Sequence, residues 1–178
     1  MIKLTFNDDM IKIIGSMTGK TFKSYETDEK IDFSIQAMRF NMGKFAINLF
    51  NEEKTVDFGD YKEDMACFTC EQAALTDEFP YKVRTKAYMI DEKILKVSIV
   101  RDVINVNNHE YDIEYDMAIA IETACHTYIF SRGLWFDEGI YISADKNTEC
   151  VYDIEKVKSD WSDNGQKNVS VERIVVNT

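Results

Sequence analysis

Proline is almost absent from this chain and glycine is scarce: the 178 residues include one proline, Pro80, and seven glycines. A chain with a single proline has no proline-rich linker at which two domains could be divided. Its length suits one domain of ordinary size with a substantial core. We therefore expect a single domain over residues 1–178. The one place for a subdivision is near residue 111, where a β-rich region (residues 1–111) would meet a C-terminal α/β region (residues 112–178).

An excess of basic charge is also absent, since 21 lysines and arginines stand against 32 acidic residues and the net charge is −11. No basic cluster interrupts this excess of carboxylates. Direct binding to nucleic acid is therefore not expected, because phosphate backbones are bound through lysine and arginine. The charge permits, without requiring, a partner protein that has a basic surface.

Long apolar runs are missing as well. The N-terminal stretch MIKLTFNDDMIKIIG places acidic residues where a signal peptide needs an uninterrupted apolar segment, and no later run is long enough to span a bilayer. We therefore expect no membrane partner and a cytoplasmic location in the producing or host cell. In that compartment the four cysteines would be reduced thiols.

Strand-forming segments are what the first part of the chain does contain. Hydrophobic residues make up 45% and aromatic residues 12% of the sequence. Up to residue 115, β-branched and aromatic runs such as IKLTF, MIKIIG, KFAINLF and ILKVSIVRDVINV are separated by turn residues such as NDD and NEEK. This alternation of strand-forming runs and turn residues predicts antiparallel strands.

Two later segments change to a helical period. In the first, Asp116 can cap a helix over residues 117–131 that ends at Gly133. In the second, apolar residues recur every three to four positions, namely Val151, Ile154, Val157 and Trp161. A strand is predicted after each helix. The predicted fold class is therefore α+β, with a mainly antiparallel β-sheet over residues 1–115 followed by helix, strand, helix and strand.

Two motifs resemble binding sites, and each departs from the pattern it resembles. The loop Gly15–Thr21 has three residues between its first glycine and Gly19-Lys20, one fewer than a phosphate-binding loop, and a strand is predicted after it instead of a helix. A glycine-assisted turn is therefore favoured over nucleotide binding. In CFTC, Cys67 and Cys70 would point to opposite faces of a strand, so buried free thiols are favoured over a metal site.

The two histidines form no recognisable catalytic arrangement. His109 adjoins a predicted turn, and His126 lies on the polar side of the first predicted helix, next to Cys125. Neighbouring side chains on a helix diverge by about 100°, so this thiol and imidazole would not face each other. No serine or cysteine lies in a nucleophile turn. We therefore predict no enzyme activity and no catalytic, cofactor-binding or metal-binding residues, with a site assembled from distant residues as the remaining alternative.

Five residues are candidates for an interface. HEYDIEYD places carboxylates on one face of a strand, among them Asp112, Glu114 and Asp116. Such a row could bind a divalent cation, but it more often forms the solvated side of an antiparallel strand. In FSRGLWFDEGIYIS, Trp135 and Phe136 are adjacent between two glycines. These rings either fold back against the preceding helix or project outward to anchor a partner.

The stretch around these two aromatic residues also resembles a known family. The small baseplate-wedge proteins of contractile phage tails have a Gly-x-Trp-Phe-x-Asp…Gly signature after a helix. This chain resembles them over residues 112–178 only, through Gly133, Trp135, Phe136, Asp137, Gly139 and Ile140. It departs from the signature in the direct succession of Phe136 and Asp137, in the shorter spacing to Gly139, and in the lack of a following proline. The resemblance implies a structural role without catalytic residues.

We therefore predict a non-enzymatic protein that binds another protein or takes part in an assembly, of the kind that phages or mobile elements encode. The alternative is an acidic inhibitor that mimics nucleic acid and occludes a basic partner. Self-association into a homo-oligomer is compatible with both.

Overall fold

The computed structural model describes residues 1–28, 35–82, 84–135, 137–145, 151–162, 165 and 167–178. The chain is 60% strand and 11% helix. The strands are β1 (Ile2–Leu4), β2 (Thr21–Asp28), β3 (Ala37–Asn41), β4 (Ala46–Asp57), β5 (Lys62–Ala73), β6 (Thr85–Val106), β7 (Tyr111–Thr123), β8 (Thr127–Arg132), β9 (Ile140–Ala144) and β10 (Val169–Asn177). The helices are α1 (Asp8–Gly15) and α2 (Ile154–Trp161), and a 3₁₀ turn covers Pro80–Lys82. In the part of the chain that the structure describes, neither helix has the length and apolar character needed to cross a lipid bilayer.

These ten strands belong to one sheet. Its main path is β5-β4-β3-β2-β6-β7-β8-β9, and neighbours along this path are antiparallel. β10 joins β6 in antiparallel register, whereas β1 pairs with β7 in parallel. β6 is 22 residues long and connects the two halves of the sheet. It pairs with β2 near its start and with both β7 and β10 further along.

The sheet curls so that the connection after β8 lies against β3, β4 and β5. An isolated bridge joins Ile35, before β3, to Ile140 at the start of β9. The backbone N–H of Ala66 in β5 donates to the carbonyl of Trp135 at 2.9 Å. The side-chain amide of Asn51 in β4 donates to a carbonyl of the same connection at 3.1 Å. These contacts join the connection after β8 to strands from the other half of the sheet.

Two groups of buried side chains fill the interior. The phenylalanine core combines aliphatic side chains with five buried phenylalanines, Phe6, Phe22, Phe40, Phe68 and Phe130. The tryptophan core is built from aliphatic residues of β1, β5, β6 and β7 around Phe58, Tyr115 and Trp161. Burial of these apolar side chains stabilises the fold by removing their surface from water.

The helix predicted over residues 117–131 is wrong. These residues form the end of β7 and most of β8, which pair as a hairpin with Ile119 opposite Phe130. Every residue from Tyr115 to Ile121 is buried, so neither face of this strand is left polar. A strand buried on both faces loses its period-two alternation, and its continuous apolar run resembles a helix. The predicted α+β class is therefore also wrong: the fold is a mostly antiparallel β-sheet, with two helices among the described residues.

The N-terminal prediction is wrong at two places as well. MIKIIG, expected to be a strand, lies in α1. Asn7 caps this helix, since its side chain accepts a hydrogen bond from the backbone N–H of Met10 at 2.9 Å. NEEK, expected to be a turn, lies inside β4. The second predicted helix and the last predicted strand correspond to α2 and β10.

Candidate functional site

An open pocket of about 450 Å³ lies beside the tryptophan core. Aromatic and charged side chains dominate its lining, which consists of Tyr61, Glu63, Val106, Tyr111, Trp135, Asp160, Trp161 and Lys167. We refer to these eight residues as the aromatic pocket. They lie at the start of β5, around the connection between β6 and β7, after β8, at the end of α2 and before β10. The fold therefore assembles this pocket from residues that are far apart in the sequence.

Two stacked indoles form one wall of the aromatic pocket. The ring centroids of Trp135 and Trp161 are 4.3 Å apart, and the ring planes differ by 26°. Trp161 is only 5% exposed because it ends α2 against the tryptophan core. Trp135 is partly buried on this support and packs against the same core. Stacking of this kind contributes about 0.5–1.5 kcal/mol beyond the burial of area.

The buried ring of Phe58 supports the tyrosine wall of the pocket. It stacks on Tyr61 with a centroid distance of 5.1 Å and meets Tyr111 edge to face at 5.5 Å. Its centroid also lies 6.5 Å from that of Trp161. Tyr61 reaches this position through a tight turn in which Gly59 adopts a φ of 92°, a conformation that favours glycine. One buried ring thus joins the two walls.

A cation of the protein itself already lies on the tyrosine wall. The Nζ atom of Lys167 is 4.9 Å from the centroid of the Tyr111 ring and 3.7 Å from a carboxylate oxygen of Glu110. A hydrogen bond to the Glu110 carboxylate raises the pKa of Tyr111, so this phenol stays neutral at physiological pH. The neutral ring attracts positive charge, and the ammonium group of Lys167 already lies over it.

Two carboxylates complete the charge distribution of the aromatic pocket. Asp160 lies 3.4 Å from the Nζ atom of Lys156, its neighbour one turn earlier in α2. Glu63 is exposed, and among the described residues it has no ion-pair partner. The pocket therefore combines aromatic faces with one carboxylate that forms no ion pair with any residue the structure describes. This combination suits a cationic occupant.

Trp135 lies in a tight connection between β8 and β9. Its φ of 55° is in the left-handed region, which residues with bulky side chains rarely adopt. The Asp137 carboxylate closes the connection by accepting hydrogen bonds from the backbone N–H of Gly139 at 2.8 Å and the hydroxyl of Tyr141 at 2.7 Å. A Cβ atom at Gly133 would collide with this carboxylate. Only glycine fits there without displacing Asp137.

Of the two aromatic residues predicted to clasp the preceding helix or anchor a partner, Trp135 is placed by the structure. Phe136 lies outside the described residues. Trp135 packs on α2 and the tryptophan core, and no helix exists over residues 117–131, so the predicted clasp against that helix is wrong. The ring is neither fully buried nor free: it rests on Trp161 and borders the pocket.

Asp116, one of the predicted interface carboxylates, is fully buried in β7. Its oxygens accept hydrogen bonds from Nε of Arg101 at 2.6 Å and from the backbone N–H of Phe6 at 2.7 Å. Burial raises the pKa of Asp116, and these two hydrogen bonds oppose that rise. Asp116 therefore joins β7 to β6 and to the segment before α1, and it does not cap a helix.

Asp112 and Glu114, the other two predicted carboxylates, are partly exposed and engaged by neighbours. The Asn105 amide donates to Asp112 at 2.7 Å, and Nδ1 of His109 lies 2.7 Å from the same oxygen. These hydrogen bonds lower the pKa of Asp112. Glu114 lies 3.4 Å from the Nζ atom of Lys3. Neither carboxylate borders the aromatic pocket, and their part in an interface stays a prediction.

A second polar cluster surrounds His126 in the turn between β7 and β8. Its Nδ1 atom lies 2.6 Å from Glu92, and its Nε2 atom lies 3.9 Å from Asp145. The Thr123 hydroxyl donates a hydrogen bond to the second oxygen of Glu92. A shallow cavity of about 410 Å³ adjoins His126 and the exposed thiol of Cys125. The two carboxylates orient the imidazole, but no hydrogen bond in the described part of the chain joins it to a thiol or hydroxyl.

The remaining motifs act as structural elements. Cys67 and Cys70 are buried on opposite faces of β5, as predicted: Cys67 belongs to the tryptophan core and Cys70 to the phenylalanine core. Burial raises the pKa of both thiols, that of Cys70 to about 12.

Thr21 begins β2, so a strand follows the glycine-containing loop. Over the described ranges, no group of three or more histidine, cysteine or acidic side chains is arranged to hold a metal ion.

Comparison with known proteins assigns no family to the chain. No family model matches it, and no curated protein or solved structure matches it either. The aromatic pocket is therefore interpreted from its own geometry and charge.

Sequence reasoning identified Trp135 of this pocket but missed Tyr61, Tyr111 and Glu63, and it assigned Trp161 to a helix face only. A signal for the tyrosines is present in the sequence, because GDY and NNHEY each place a tyrosine shortly after turn-forming residues. Aromatic residues that begin strands after tight turns collect at the ends of a sheet, where a pocket can form. Which of these ends meet could not be predicted without the strand order.

Proposed function

We propose that this protein binds another protein by receiving a lysine or arginine side chain of that partner in the aromatic pocket. The observation that carries the proposal is the lining of one cavity by four aromatic side chains together with Glu63, which has no ion-pair partner among the described residues. The proposal retains the predicted non-enzymatic binding role and the predicted basic surface of the partner.

Aromatic rings attract cations because the face of the ring carries partial negative charge. A lysine or arginine over a tryptophan or tyrosine gains about 0.5–2 kcal/mol, depending on its desolvation. Lys167 occupies such a position over Tyr111, so a lysine side chain can reach an aromatic ring of this pocket without a steric clash. A partner cation would meet Trp135 on the other wall and the carboxylate of Glu63 at the rim. The net charge of −11 adds a longer-range attraction that speeds the encounter.

This pocket favours protein binding over the alternative role as a nucleic-acid mimic. A mimic needs free carboxylates with phosphate-like spacing, but Asp116 is buried with Arg101, and both Asp112 and Glu114 contact neighbours. An assembly role, such as the baseplate-wedge resemblance implies, is one form of the binding proposed here. In that case the cationic side chain would belong to another subunit of the assembly.

The proposal can be tested by titration with an arginine-containing peptide while tryptophan fluorescence is recorded. Both tryptophans of the chain lie in the pocket, so the signal reports on this site alone. We expect a saturable change, and we expect the same peptide with citrulline in place of arginine to bind about tenfold more weakly because it lacks the charge. Equal affinity for the two peptides would contradict the proposal.

A pair of matched variants separates the pocket from the general attraction of an acidic protein. Tyr111→Leu removes a pocket ring without altering the net charge and should weaken binding about tenfold. Tyr88→Leu is the control, because Lys86 lies 4.9 Å from the Tyr88 ring centroid in the same way, but this ring is outside the pocket. Binding that Tyr88→Leu and Tyr111→Leu weaken equally would assign the attraction to the whole surface.

A further inference from the structure

Arg132, the last residue of β8, is a fully buried cation, and in the part of the chain that the structure describes no carboxylate lies within ion-pair distance of it. The charges of Asp116 and Asp137 act on it only from a longer distance. Its side chain is 0% exposed, and within the described residues its Nε and Nη1 atoms have no hydrogen-bond partner. Two other arginines of the sheet are paired: Nε of Arg101 lies 2.6 Å from Asp116, and Nε of Arg173 lies 2.7 Å from Asp102. Burial lowers the pKa of Arg132, as expected for a cation in apolar surroundings. A buried guanidinium of this kind reduces stability, because its lost hydration is replaced only in part.

The contacts that Arg132 does make lead to the aromatic pocket. Its Nη2 atom donates to the carbonyl of Trp135 at 3.5 Å, and the same carbonyl accepts the backbone N–H of Ala66 at 2.9 Å. The guanidinium carbon lies 4.2 Å from the ring centroid of Tyr115 and 5.9 Å from that of Phe68. Two rings thus hold the guanidinium in place while one of its nitrogens reaches the main chain of a pocket residue.

The main chain at this point is unfavourable in itself. Trp135 has a φ of 55°, which costs energy for a residue with a bulky side chain. On the other side of the connection, the Asn51 amide donates to the carbonyls of Asp137 and Gly139 at 3.0 and 3.1 Å. The buried Oδ1 atom of Asn51 has no partner within the described residues. Buried polar atoms without partners on both sides of one strained connection indicate that the shape of the connection is being maintained at the expense of stability.

We propose that Arg132 is a positioning residue: it fixes the main chain of Trp135 and thereby orients the indole on Trp161 in the aromatic pocket. If Arg132 served stability alone, an apolar side chain of similar volume would serve better, because it would leave no buried charge. The orientation of the Trp135 indole can be measured whether or not the pocket binds a partner. Only its consequence for the affinity of the pocket depends on the proposed binding function.

The test compares Arg132→Met with Arg173→Met, the same substitution at a paired arginine. The stacked indoles of Trp135 and Trp161 are close enough to couple electronically, so far-ultraviolet circular dichroism measures their stacking directly. Arg132→Met should leave the urea midpoint unchanged or raise it, and it should abolish this coupling. Arg173→Met should lower the midpoint, because Asp102 is left buried and unpaired, and it should retain the coupling.

A second arm measures binding of the arginine peptide. We expect Arg132→Met to weaken this binding about tenfold, because the pocket is no longer preorganised. Arg132→Lys retains a buried cation, so it should recover part of the indole coupling and part of the peptide affinity. Unchanged coupling in Arg132→Met would overturn the proposal. Failure of both Arg132 variants to fold would also overturn it, since Arg132 would then be required for the fold. If the wild-type protein binds no peptide, the proposed function fails, but the coupling measurement still decides the role of Arg132.

Discussion

The two cores of this protein use aromatic residues in opposite ways. In the phenylalanine core, Phe22, Phe40 and Phe130 contact one another and are completely buried, with the last two rings 4.7 Å apart. In the tryptophan core, Trp161 is also buried, but the ring of Trp135 stacked on it reaches an open pocket. The three buried phenylalanine rings contribute to stability but present no surface to a partner. A cluster with one open edge contributes less stability per ring and presents a rigid surface to a partner.

The largest expected effect comes from the closed core. Phe22→Ala removes a fully buried ring and leaves a cavity, so it should lower the free energy of unfolding by about 3–5 kcal/mol. Tyr61→Ala, at the open edge and 42% exposed, should cost less than about 1 kcal/mol. Urea denaturation measures both values. Equal losses at the two positions would remove the distinction between the cores.

Trp135→Ala should fall between these two values. The ring is partly buried and stacked on Trp161, so its loss should cost about 1–2 kcal/mol. Urea denaturation monitored by circular dichroism gives the value, with Tyr88→Ala as an exposed aromatic control. A cost as large as that of Phe22→Ala would assign Trp135 to the core. No cost at all would show that the indole does not rest on Trp161.

The smallest effect distinguishes the two thiols of β5 at alkaline pH. Burial raises the pKa of Cys70 from 9.0 to about 12, so above pH 9 the unfolded chain loses this proton while the folded chain retains it. The free energy of unfolding should therefore fall as the pH rises from 9 towards 12.

At pH 10 the contribution of Cys70 to this fall is about 1 kcal/mol, and Cys70→Ala should remove it. Cys67→Ala should remove less, because the positive charge of Arg132 partly opposes the effect of burial on the pKa of Cys67. The measurement is the difference between urea denaturation at pH 7 and at pH 10 for each variant. An identical pH dependence of the wild-type protein and Cys70→Ala would contradict the assignment.

Most strands up to residue 115 and the pair α2 and β10 could be predicted because their patterns are local. Turn residues separate several of the strands, although NEEK lies inside β4. The spacing of Val157 and Trp161 is that of a helix with one buried face. The hairpin of β7 and β8 could not be predicted in this way, because burial on both faces removed the alternation that distinguishes a strand. α1 was missed because a segment as short as MIKIIG fits both periods.

Only one residue of the candidate site was predicted, and the reason that the others were missed is different. Trp135 stood out because it lies in an aromatic and glycine-containing stretch, but its neighbours in the pocket come from other connections. Their proximity depends on the order of the strands and on the curl that brings the connection after β8 against β5. The pairing of Asp116 with Arg101 likewise depends on the register of β6 and β7. Local patterns contain neither piece of information.

The long strand β6 has a consequence for synthesis on the ribosome. Its residues 98–106 pair with β10, and Val100 lies opposite Val175, which is translated 75 residues later. While translation proceeds through the intervening segment, the backbone groups of that edge have no strand beside them. An unpaired edge of this kind is a template for association with other nascent chains. The sheet therefore completes only after β10 has emerged, and slow translation between β6 and β10 should increase aggregation of the newly made protein.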